Sequence, residues 1–152
     1  MSSNDLSQVR DYIRSRMAVV EPTYQEWTDS LDNIGNIPKT VLNRTYHITL
    51  NGSTASTNND TFIQDVSNVV ITIFKRGFTR PVEARDEIMQ TANCIRLDMI
   101  DPQNVETYKA ANDGNIEDIQ SVGIVPNEID VSNDNTIQVE IELNLRLYIG
   151  IT

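Results

Sequence analysis

One cysteine and one histidine stand in the 152 residues, and their scarcity excludes much chemistry. Cys94 has no second thiol, so the chain forms no internal disulfide and is not built for an oxidising compartment. His47 and Cys94 lie far apart, and neither HExxH nor CxxC spacing occurs, so no zinc set of imidazoles and thiolates is expected. The few glycines fall in no GxGxxG or GxxxxGK[ST] run, the patterns that let phosphate approach the backbone. No apolar run has membrane length, and MSSNDLSQVRDYIRSR carries no apolar signal core, so synthesis in the cytoplasm without membrane contact is expected. Positive charge is also short: Lys plus Arg number 12 against 22 for Asp plus Glu, a net charge of -10. Affinity for a phosphate backbone needs clustered positive charge, and this surface repels DNA instead.

What the chain does have is a long alternation at its C-terminus. In TIQVEIELNLRLYIGIT, Thr136 to Thr152, Ile137, Val139, Ile141, Leu143, Leu145, Leu147, Ile149 and Ile151 alternate with polar residues or glycine, apart from Tyr148, the period of a strand with one buried face. Such a strand reaches about 50 Å. One small domain is expected to cover roughly half of that aliphatic face, leaving the excess bent, frayed or packed on another copy. The expectation is therefore an assembly protein.

Towards the N-terminus, Leu6, Val9, Ile13, Met17 and Val20 form one helical stripe, with Ser3 or Asn4 as cap, Arg10, Arg14 and Arg16 off the stripe, and an end before Pro22. Tyr24 and Trp27 lie in a polar connector, the Trp as a plug over the core, and residues 33–40 read as irregular chain turned by Pro38. Tyr46, Ile48 and Leu50 mark a first strand. Residues 51–61, NGSTASTNNDT, hold no apolar side chain larger than alanine and are expected to be a mobile loop.

Val66 to Lys75, apolar on both faces, reads as a central strand. A second helix is capped by Thr79 or Arg80, carries Pro81 in its first turn, buries Ala84, Ile88, Ala92, Ile95 and Met99, and stops at Pro102; Cys94 beside this line is a small packing residue. Ile116 to Val125 suggests a third strand, broken near Gly123 and at an edge or ending at Pro126. Asn133, Asp134 and Asn135 turn it back into the last strand as a hairpin. The expected fold is one α+β domain over 1–152, in the order α-β-β-α-β-β: a mostly antiparallel sheet of about four strands with two main helices packed on one face.

Catalysis finds no foothold in these residues, and neither cofactor nor metal is expected. His47 reads as an outward strand residue, and the carboxylate pairs Asp86-Glu87, Asp98 with Asp101, and Glu117-Asp118 stand in polar surroundings without the desolvation that acid-base work requires. Lys75, Arg76 and Arg80 form a small basic cluster that either docks an acidic neighbour or offsets local negative charge.

The N-terminal helix, the segment IPKTVLNRTYHITL, the segment VVITIFKRGFTRPVEARDEIMQTA and the long last strand together resemble phage tail terminators of the lambda type and the related minor tail and head-tail joining proteins. The resemblance lies in element order and texture. It implies a virion protein of the tail or neck: a homohexameric ring that caps the tail tube, stops its polymerisation and presents a surface to the head connector. Six copies would place roughly sixty negative charges around a lumen through which DNA passes without specific binding.

On that reading, Arg10, Arg14 and Arg16 meet acidic residues of the neighbouring subunit, and Asn51, Ser53, Thr57 and Asn59 order against the tube or that neighbour. Arg76, Arg80, Glu140, Glu142 and Arg146 complete the expected contact residues. Two alternatives stand beside it. One is another neck or tail-completion protein, and the other is a small ligand-binding or enzymatic α+β domain with a pocket between sheet and helices and His47 or Tyr46 at its mouth.

Overall fold

The alternating C-terminal stretch is β5 (Asp134–Gly150), held between β3 (Thr61–Arg76) and β4 (Ile116–Val131). The computed structural model describes residues 5–58, 61–131 and 134–150. Its fold is α+β, with a five-stranded sheet in the order β1-β2-β3-β5-β4. The strands β2 (Thr45–Asn58), β3, β5 and β4 are antiparallel, whereas β1 (Gln25–Glu26) runs parallel to β2. Two residues are too few to show a period, so β1 was invisible in the sequence.

Ile137, Val139, Ile141, Leu143, Leu145 and Leu147 are each at most 2% exposed. They pack under α1 (Asp5–Val20), α3 (Pro81–Ile100) and α4 (Pro102–Asn112). The expectation that one domain would cover only about half of this face, the excess being bent, frayed or packed on another copy, is corrected for these six residues. A 20-residue α3 is about 30 Å long, close to the span from Ile137 to Leu147, and each aliphatic side chain so buried contributes about 1.5–3 kcal/mol. Ile149 and Ile151 fall where no side chains are described.

The first helix buries Val9, Ile13 and Met17 as its stripe requires, and Tyr12 joins them, donating from its hydroxyl to Met99 O at 2.8 Å and meeting Tyr108 edge to face. Ser3 and Asn4, the expected caps, lie outside the described residues. In α3 the five expected core residues are all buried, whereas Cys94, expected to pack beside them, is exposed, and Pro102 ends the helix. It also begins α4, which the sequence reading omitted: Asp101 caps α4 by accepting from Gln103 N at 2.9 Å, and Pro102 sits where no amide is required. The α4 face is short, with only Val105 and Tyr108 buried, so its periodicity is faint.

The expected loop over 51–61 is corrected too. Residues 51–58 continue β2 and pair with β3 as far as Asn58↔Thr61, and β3 is flanked on its other side by β5. Backbone hydrogen bonds supply the order that a tract of such short residues does not provide by burial. Only residues 59–60 separate the strands, so Asn59, expected at an interface, lies outside the described residues.

Within β3 the register to β5 slips between Val66 and Val69, where Asn68 takes φ 55°. Asparagine tolerates that left-handed geometry, and the slip lets Val66 and Val69 both face the core. Asn51 Nδ2 donates to Asn68 O at 3.1 Å, and Asn144 Oδ1 accepts from Asn68 N at 3.0 Å, which ties the bulge to both neighbouring strands.

The helices α1, α3 and α4 cover one face, but the second face is not bare. A 3₁₀ turn (Leu31–Asn36) and α2 (Lys39–Leu42) lay Ile34, Ile37 and Leu42 over Phe74, with Trp27, Leu31, Val41 and Ile129 around them. The polar connector and irregular chain of the sequence reading are thus a second, smaller core, with Trp27 as its plug. Finally, β4 runs through Pro126 to Val131 as an edge strand, with the expected slip between Ser121 and Gly123. Val131 pairs with Asp134, so Asp134 and Asn135, expected in the turn, belong to β5, and Asn133 lies outside the described residues.

Candidate interaction surface

Phe74 and its cluster cover one end of the second face; beyond it Val70 and Thr72 are buried between their neighbours, Glu140 and Glu142 are half-buried, and the register gives the contents of this uncovered part. Glu140 is flanked by Thr72 and Val125, Glu142 by Val70 and Gly123, Asn144 by Gln120, and Arg146 by Asp65 and Asp118. Among these charged groups four carboxylates (Asp65, Asp118, Glu140, Glu142) face one guanidinium (Arg146), so the local sum is -3. Arg146 binds Asp65 through Nε at 2.7 Å and Nη2 at 3.2 Å, and this pair holds the Asp65 carboxyl below the usual range. Tyr148 is 41% exposed beside it, and Val125 46%.

The expected contact arginines separate into distinct roles. Arg16 reaches Asp98 on α3 with two bonds of 2.8 Å and clamps the helix pair. Arg14 is bidentate to Glu26, and that partner raises its pKa. Arg76 is buried: its guanidinium donates to Ile37 O at 3.1 Å and to Asp134 at 3.2 Å, fastening the second core to the sheet. Arg80 is exposed at the N-terminus of α3 with Glu83 for partner, and Lys75 pairs with Glu87. The basic cluster of the sequence reading is therefore three separate intrachain contacts. Arg10 differs, since its Nη1 donates to the edge carbonyl Ile48 O at 3.0 Å.

Asn51 lies in β2 on the bulge. Ser53 and Thr57 are backbone neighbours of Val66 and Phe62 in the hairpin, and their side chains are not described. Tyr46 and His47 occupy opposite faces of β2: Tyr46 is 6% exposed in the main core, and His47 donates from Nδ1 to Trp27 O at 2.8 Å on the other side. Of the two, Tyr46 belongs to the core under the helices, whereas His47 lines a cavity at the β2 edge with Arg10, Arg14 and Trp27. Missed by the sequence reading were the Trp27–His47 contact and the row Asp65–Arg146–Asp118. Alternation alone could have placed Arg146 and Tyr148 on the polar face, but only register brings the aspartates beside them.

Among the described residues no strand pairs with the free edge of β4, or with that of β2 beyond its first residues. Among the described residues no group of three or more His, Cys, Asp or Glu could hold a metal ion, and no helix is long and apolar enough to cross a membrane. No protein-family model matches the chain, and no curated protein matches it.

Proposed function

We propose that the chain is a structural protein of a tailed-phage virion, a ring-forming tail terminator. In this role it caps the tail tube, ends tube polymerisation and offers the surface on which the head connector joins the tail. The observation that carries the reading is the sheet itself: four long antiparallel strands, helices on one face, an open acidic face on the other, and two unpaired edges. A closed ring of identical subunits needs two different patches per subunit, and a sheet covered by helices on one face and acidic on the other offers such unlike surfaces. The resemblance lies in element order, and the main elements do follow the α-β-β-α-β-β order read from the residues, with β1, the short helices and α4 added.

The open face would turn towards the lumen. At -3 per subunit it opposes the counterion release that makes proteins hold DNA, so the genome slides past. No catalytic step enters this role. The partners are further copies of the chain, the tail tube protein and a neck or connector protein.

The test is to add the purified chain to the tube protein of the same phage during polymerisation and to measure tube lengths by electron microscopy. Capping predicts shortened tubes carrying extra density at one end. An unchanged length distribution with bare ends would refute it.

A further inference from the structure

We infer that the β2 edge beyond Tyr46 is a strand-addition site for an extended, acidic segment of a protein partner. The inference goes beyond the ring reading and does not require a ring. It begins from a contrast between the two edges of one sheet. The β4 edge carries Glu117, Asp118, Glu128, Pro126 and two register slips, devices that blunt an edge against further pairing. From Ile48 to Asn58, β2 has no charged residue and no proline.

The lane beside β2 already shows what it accepts. Gln25 N donates to Arg44 O at 2.8 Å and Trp27 N to Tyr46 O at 2.7 Å, so a parallel strand fits there. Then the chain leaves: His47 Nδ1 takes Trp27 O, Trp27 Nε1 donates to Ser30 O at 3.0 Å, and the backbone enters the 3₁₀ turn. Past that point the lane is a cavity of about 370 Å³ lined by Arg10, Arg14, Trp27, Thr49 and Leu50 among others. The next edge acceptor, Ile48 O, takes the Arg10 guanidinium in place of a strand amide.

Charge selects the occupant. Arg10 and Arg14 line the cavity with one carboxylate, Glu26, so the local sum is +1 in a chain of net charge -10. Arg10 commits one of five N–H donors to Ile48 O, and a carboxylate on an added strand meets the others with charge-assisted bonds. Main-chain bonds to the edge give affinity, and the arginines give the preference for acid.

The test uses the full chain and two end-blocked synthetic peptides, TVEVTVEVT and TVKVTVKVT, with affinity read by titration and the contact by amide hydrogen exchange. The glutamate peptide is expected to protect amides within 48–52 and to bind at least about tenfold tighter than the lysine peptide. Arg10→Glu should reverse that preference, which a merely structural arginine would not do. Should Arg10→Glu fail to fold, Arg10→Gln abolishes the discrimination without adding a charge. Equal affinities, absent protection, or protection on β4 would overturn the inference. So would protection of β2 that depends on protein concentration alone, since a second copy would then be the occupant.

Discussion

Replacing Arg76 by methionine separates a fold-holding arginine from an interface one. The side chain is about 9% exposed, and methionine keeps its apolar stem while removing the guanidinium. Two contacts are lost. The bond to Ile37 O leaves a carbonyl of a buried residue without its charged donor, a loss of about 1.5–3 kcal/mol. The Asp134 carboxylate is 45% exposed, so that pair adds only about 0–1 kcal/mol. Arg76→Met should therefore cost about 1.5–4 kcal/mol, a fall in Tm of roughly 3–16 °C at this chain length. Arg80→Met is the control: its side chain is 76% exposed, and the loss should stay within about 0.5 kcal/mol. Urea unfolding of both variants with an unchanged m-value is the assay. If Arg76→Met were as mild as Arg80→Met, the second core would not hang on this guanidinium, and the assignment would fail.

Three further outcomes are expected. Leu143→Ala, at a site 1% exposed between β3 and β4, should lose about 2–5 kcal/mol by denaturant unfolding, because the close-packed helices above cannot collapse into the gap. Burial raises the phenols of Tyr12, Tyr24, Tyr46 and Tyr108 above 10, Tyr24 to about 12. Their protonated forms add stability that is fully present below pH 10 and lost as pH rises through those folded values, so alkaline unfolding and phenolate absorbance should rise together above pH 10, with Tyr24 contributing near 12. Glu140→Lys with Glu142→Lys changes the open face from -3 to +1. The double variant should retain duplex DNA in filter binding at about 50 mM salt and release it at about 200 mM, where the parent retains none at either.

Much of this fold was legible in periodicity. The β5 alternation, the α1 stripe, the α3 core line and the slip near Gly123 each follow from spacing that survives in the structure. Hidden elements were those whose order comes from partners rather than from their own side chains. The hairpin over 51–58 is held by its ladder to β3, although its polar texture reads as loop. The β1 strand is two residues long, and α4 shows only two buried residues in three turns. The length of β5 misled in the other direction, since apolar periodicity states that a face is covered but not by what. For the site, residue types were readable and partners were not: Arg16, Arg76 and Arg146 look alike in sequence, yet one clamps helices, one fastens a second core and one lies on an open face.

The central claim is assembly into a ring that acts on tubes, and solution mass by light scattering tests it most directly, at low and moderate salt, alone and with tail tube protein. The account predicts a closed species of about six chains, alone or formed only when tubes are present. A monomer at every concentration that ignores tubes would contradict it.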